Sequence, residues 1–322
     1  MKRILTIFLA ILMISYPVTY SVAYANTLEE DSLYAGKLDL SEYSLEDIKD
    51  MSTSEFLELL AYFERTYDPF GTYEVSPIFN DEQETASPLW TSGEPDNPDE
   101  NAGTHAILTA QALVELSEDI GTFSADLDIV GILLAISLAS VLPDKDENSD
   151  IFAHHFYDPI TGKGLSNTTD TAKTRANARF NTAVNYIKAG NSDKGYEYIG
   201  RALHYVQDLA VPHHSTNKIS TGPTSSHWQF EHSVEKRIEE IVQDMPSIPM
   251  EFYTGYRNKS IGDLAHEVAV SSSGYINYVD NILLMLTSKW DETEEACVFL
   301  SIRYSAVVLY EFACRAGITL YK

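Results

Sequence analysis

From Trp90 onward the chain keeps returning to one pattern, apolar residues spaced three and four apart in long segments separated by loops, and it shows no persuasive run of alternating strand residues. That spacing predicts helices over Thr104 to Leu116, Asp126 to Val141, Asp170 to Ala189, Asp193 to Leu209, Trp228 to Gln243, Ile261 to Leu286 and Thr293 to Ala316. Gly190-Asn191 marks a stop between two of them. The expectation is an all-α domain over residues 90–322 without internal repeats, and an apolar fraction of 44% is ample for its core. The apolar run from Ile129 to Leu142 has 14 residues, too few to cross a bilayer and suited to a buried helix.

The first 25 residues read as a secretory signal: Lys2 and Arg3, an apolar run from Ile4, then Ala23-Tyr24-Ala25, with cleavage expected before Asn26. No further membrane-crossing segment is expected in the mature, secreted form. Residues 26–89 hold 16 acidic and 3 basic side chains and one helical pattern, Ser54 to Thr66, in which Phe56, Leu59, Leu60 and Phe63 share a face. They read as an acidic prosegment or N-terminal arm. Cys297 and Cys314 fall in one expected helix, roughly 25 Å apart by its rise and too far for a bridge, so both are expected as buried free thiols. A net charge of −26 suits a polyanion poorly, and no nucleic-acid partner is expected.

Eight of the nine histidines fall between His105 and His232. His204 and Asp208 stand four apart on an expected helix and share a face, Pro212 ends that helix, and His214 lies just beyond. His227 and Glu231 repeat the spacing at the start of the next helix. Alone, a His-x-x-x-Asp pair is more often an ordinary hydrogen bond, and His-x-x-x-Glu near a helix start can simply complement the helix dipole. Together with Gly103-Thr104-His105 opening a helix and Asp144 eleven residues before His155, they point to zinc, which takes imidazole nitrogen and carboxylate oxygen in small coordination numbers.

These motifs are Trp90 followed by Gly-Thr-His105, Leu-Pro-Asp144, His155-Phe-Tyr-Asp-Pro159, His204-Tyr-x-x-Asp208-Leu-x-x-Pro212-x-His214-x-x-Asn217 and His227-x-x-Phe-Glu231. In order and spacing they resemble the bacterial zinc-dependent phospholipases C. The resemblance implies a single multi-helix domain of the phospholipase C/nuclease type and three zinc ions. It implies one zinc on Asp144, His155, His204 and Asp208, and a second on His214, His227 and Glu231. A third is implied on His105, a bridging Asp208, and the α-amino nitrogen and carbonyl oxygen of an N-terminal Trp90. Because a peptide nitrogen has no lone pair to offer, Trp90 fits only if a processing protease cuts after Leu89. Asp144 is further implied to orient or deprotonate the attacking water, and Phe152 and Glu94 to match the head-group pocket. Three positions depart from the family pattern: Gln207 stands where a small residue is usual, Ala210 replaces a polar one, and Ser215 sits where proline or alanine is common. Lys145 follows Asp144 where the family has a tyrosine that helps enclose choline. His154 and His213 are expected behind the ligands, and His232 and His266 at the surface or in the core.

The expected activity is cleavage of the glycerol-side phosphodiester of phospholipids at a membrane or micelle surface. Exposed aromatics around the site would engage that surface, since a chain ending at Lys322 leaves no room for the lipid-binding β-sandwich of larger toxin members. Two other readings stay open. A single-strand nuclease would use a similar three-zinc site on a related all-α fold, and a non-catalytic surface protein would use zinc only for bracing.

Overall fold

A computed structural model describes residues 43, 44, 47, 59, 63, 104–123, 129–147, 153–219, 224–243 and 245–322. From Thr104 onward ten α-helices follow in order among the described residues: α1 Thr104–Asp119, α2 Ile129–Ala139, α3 Leu142–Asp146, α4 Ala172–Lys188, α5 Ser192–Asp208, α6 Ser226–Gln243, α7 Met250–Gly255, α8 Ile261–Ser273, α9 Ile276–Val279 and α10 Ser288–Ala316. No strand forms among them; the β pairing there is confined to the single bridges Thr122 to Tyr321 and Asp158 to Lys163. The all-α expectation therefore holds.

α4 and α5 form a helical hairpin whose ends are set by local chemistry. Thr171 and Thr174 exchange side-chain and backbone hydrogen bonds in a capping box at the start of α4. At the turn Gly190 takes φ +79°, and the Asn191 side chain accepts from the Lys194 N–H to start α5. α5 is the central element, packed against α1, α2, α4 and α10. Gly200 permits this: a Cβ there would lie 2.5 Å from the Ile136 carbonyl oxygen and 2.5 Å from Ala139 Cβ, so only glycine lets α2 approach α5 so closely. Around that contact Phe180, Tyr205, Phe230 and Phe312 are fully buried, each large side chain contributing about 1.5–3 kcal/mol by burial. Leu59 and Phe63 are helical and buried in the same core; the rest of the stretch expected as a helix from Ser54 to Thr66 lies outside the described residues.

The structure departs from the sequence expectations in four places. The pattern from Ile261 to Leu286 is not one helix: α8 ends at Ser273, α9 is one turn, and Ile282–Leu286 is a 3-10 turn. Gly274 caps α8, and the Ser271, Ser272 and Ser273 hydroxyls bond back to carbonyls three or four residues earlier, which weakens helix propagation. The expected Asp126 to Val141 helix likewise closes at Ala139, and the short α3 and α7 follow where Pro143 and Pro249 start new turns. Only Cys297 is buried; Cys314 is exposed, because it faces outward from α10. Finally, α10 is long and apolar enough to cross a membrane, but 72% of its most apolar window is buried, which marks it as the core helix.

Candidate metal centre

α5 presents His204 and Asp208 on its buried face, one turn apart. His204 Nδ1 lies 2.8 Å from the Ser140 carbonyl, which can only accept, so the proton sits on Nδ1 and the Nε2 lone pair turns inward. Nε2 is 3.3 Å from Asp208 Oδ2, 3.5 Å from Asp144 Oδ1 and 3.0 Å from His155 Nδ1. Asp144 reaches this point because Pro143 starts α3 directly after α2, placing the carboxylate in the first turn. His155, in the 3-10 turn Ala153–His155, brings Nδ1 to 2.8 Å from Asp208 Oδ2 and 3.6 Å from Asp144 Oδ1.

A second group forms where the chain leaves α5. Val211 N–H donates to the Asp208 carbonyl, and a 3-10 turn at His214–Thr216 swings His214 back toward the site. His214 Nδ1–H donates to the His155 carbonyl at 3.0 Å, which again frees Nε2. That atom lies 3.1 Å from Glu231 Oε1, and His227 Nε2, from the first turn of α6, lies 3.0 Å from the same oxygen.

His105, at the start of α1, completes the arrangement. Its Nε2 is 3.4 Å from Asp208 Oδ1, so the two oxygens of one carboxylate face different groups, as a bridging ligand requires. Its Nδ1 is 2.7 Å from Gln207 Oε1, and the Gln207 amide nitrogen donates to Thr109 Oγ1 at 2.9 Å and Ser305 Oγ at 3.2 Å. Potential ligand atoms gather in three groups, each within 4.8 Å: His105, His204 and Asp208; Asp144, His155 and His204; and His214, His227 and Glu231.

The electrostatics call for cations. Burial, then the charges of Asp208 and Glu231, push the Asp144 carboxyl well above its usual range. Burial also works to raise Asp208, but the imidazoles of His204 and His155 outweigh it and hold it well below. Burial drives His105 down to about 4 and lowers His155 and His204, so these imidazoles are neutral at pH 7. In Glu231 burial is outweighed by His227 and by close contact with both imidazoles, which lowers its pKa, and in His214 by the contact with Glu231, which raises its pKa. Buried carboxylates among imidazole nitrogens are a donor set whose type fits divalent zinc.

Eight of the nine expected ligands are described, and all eight fall in these groups with no other residue. Trp90, Glu94 and Phe152 lie outside the described residues. The His154 ring lies 4.5 Å from that of His155, tilted by 40°, and His213 lies 4.8 Å from the His227 ring at 19°, both buried. His266 bonds the Tyr157 hydroxyl at 2.8 Å, and His232 faces Glu235 at 3.7 Å. Two supporting residues escaped the sequence reading. Gln207 is more than a departure from the family pattern, since it orients His105. Glu147, at the end of α3, accepts from Arg175, Arg179, Arg201 and Tyr205 and so ties the Asp144 turn to α4 and α5. Its signal in sequence, a carboxylate three residues after Asp144, is common, and the three arginines become informative only once folded together.

A family model described as zinc dependent phospholipase C matches residues 104–292. Phospholipase C of Clostridium novyi is 28% identical over 158 residues, covering 44% of this chain and 39% of that protein. Phospholipase C of Clostridium perfringens is 25% identical over 236 residues, covering 66% of this chain and 59% of that protein. The solved alpha toxin from Clostridium absonum superposes with a TM-score of 0.58 at 22% identity, over 67% of this chain and 65% of that one, which establishes a shared fold. The chain thus spans between two fifths and three fifths of the length of the two curated relatives.

Proposed function

Because the chain belongs to the zinc-dependent phospholipase C family, we propose that it hydrolyses the glycerol-side phosphodiester bond of phospholipids to diacylglycerol and a phosphorylated head group. The observation that carries this reading is the convergence of eight buried donors into three groups, two of which share His204. In the proposed assignment Asp144, His155, His204 and Asp208 hold one zinc; His214, His227 and Glu231 hold a second; and His105, Asp208 and the amino end of Trp90 hold a third. Zinc bound there supplies a water of near-neutral pKa and neutralises phosphodiester charge. Asp144 orients the attacking water and accepts its proton, while the leaving glycerol oxygen takes a proton from solvent. Phe152 and Glu94 are assigned to the head-group pocket by their match to the family pattern.

The protein is secreted after cleavage near Ala25, and removal of residues 26–89 frees the Trp90 amine. The mature, zinc-loaded chain is expected to cleave phosphatidylcholine in mixed micelles, to stop with a chelator, and to recover with zinc. Turnover of denatured DNA but of no phospholipid would move the assignment to the nuclease branch, and turnover of neither would leave zinc a bracing role only.

A further inference from the structure

α9 and the 3-10 turn Ile282–Leu286 form a segment with an unusual surface. Leu286 is 95% exposed and Leu283 76% exposed, with Tyr278 and Ile282 also facing water. The exposure is imposed by a built turn. Asn281 accepts from the Leu283 N–H at 3.0 Å, the Thr287 hydroxyl donates to the Leu284 carbonyl at 2.7 Å, and Leu284 and Met285 pack against the core. Residues three apart in a 3-10 turn eclipse one another, so Leu283 and Leu286 project on one side.

Two connections tie this surface to the elements that carry the metal-centre residues. α9 packs on α6, the helix that carries His227 and Glu231. Lys218, four residues after His214, pairs with Asp280 at 2.7 Å, and the half-exposed Ile219 follows it directly in the chain.

We infer that Ile219, Tyr278, Ile282, Leu283 and Leu286 form an apolar platform by which the protein seats itself on zwitterionic phospholipid surfaces, presenting the neighbouring His214, His227 and Glu231 group to lipid head groups. The inference rests on the phospholipase reading for the nature of the surface, and on the structure for its place. Large apolar side chains grouped and held outward on a folded domain mark an interaction site, and an apolar face set at the head-group boundary gains by burial in the acyl region. Charge selects the lipid. Among the described residues Lys218 is neutralised by Asp280 and Lys289 by Glu292, and residues 90–322 hold 32 acidic against 17 basic side chains, which disfavours anionic lipid.

The test is the double substitution Leu283→Ser with Leu286→Ser in the mature, zinc-loaded protein. Its cosedimentation with phosphatidylcholine vesicles should fall at least about tenfold, and vesicle hydrolysis with it, while hydrolysis of short-chain phosphatidylcholine below its micellar concentration stays at the wild-type rate. Unchanged vesicle binding, an equal loss on monomers and vesicles, or wild-type binding that needs anionic lipid and vanishes in salt would each overturn the inference. So would light scattering showing a wild-type dimer that the double variant dissociates. If the wild type hydrolyses neither form of phosphatidylcholine, the proposed function fails, and vesicle cosedimentation still decides the platform.

Discussion

Replacing Gln207 with leucine tests whether the site depends on support behind its ligands. The side chain is fully buried, with Oε1 2.7 Å from His105 Nδ1 and its amide nitrogen held by Thr109 and Ser305. Leucine fills a similar volume but accepts nothing. His105 must then either bury an unpaired Nδ1–H, at about 1–3 kcal/mol, or move the proton to Nε2. The second choice spends the lone pair that faces Asp208 Oδ1 at 3.4 Å, the one a metal needs. Loss of such a partner behind a ligand typically weakens metal binding about 10–100-fold, or roughly 1.4–2.8 kcal/mol. Titration of the zinc-loaded protein with a chromophoric chelator should therefore show one weakened class of zinc, the others holding as in wild type. Gln207→Glu keeps an acceptor toward His105, and both hydroxyls can still donate to it, so it should retain or tighten that class. If the leucine variant holds zinc as wild type does, or if both substitutions weaken it equally, orientation of His105 by Gln207 is refuted.

Asp144→Asn should cut phospholipid turnover by about 100-fold to 10,000-fold while most zinc stays bound, as read by metal analysis beside steady-state rates; full activity would remove Asp144 from the chemistry. Intact-mass and N-terminal sequencing of the active secreted form should find Trp90 first, and an active species beginning at Asn26 would contradict maturation. Because Leu59 and Phe63 are buried in the core, the released segment should stay associated on a native gel until denaturant is added. In Glu147, burial is outweighed by hydrogen bonds from Arg179 and Tyr205 and by the arginine charges, bringing the carboxyl from 4.5 to about 2. A value depressed on folding adds stability that is complete above the ordinary value and is lost as pH falls from about 4.5 toward 2. Glu147→Gln should lower stability at pH 7 by about 3 kcal/mol and flatten the acid dependence below pH 4.5, measured by urea unfolding; an unchanged midpoint at pH 7 would show the network to be inert.

Much of this protein is fixed by local rules. Helical periodicity marks α1, α4, α5, α6 and α10, Gly190-Asn191 closes one hairpin arm and opens the next, and i, i+4 spacing puts His204 with Asp208 and His227 with Glu231 whatever the tertiary fold. The break after Ser273 was legible in principle from three serines and a glycine, but an apolar pattern running on to Leu286 masked it.

Sequence by itself thus determined the helical class and the ligand types on each helix face, because both depend on neighbours a few residues apart. Which oxygen of Asp208 faces which imidazole, that Gln207 and the Ser140 carbonyl set the histidine tautomers, and that Leu283 and Leu286 point outward were decided only by the tertiary structure. Each of these depends on groups far apart along the chain, or on a burial pattern that exists only once the helices have packed around α5.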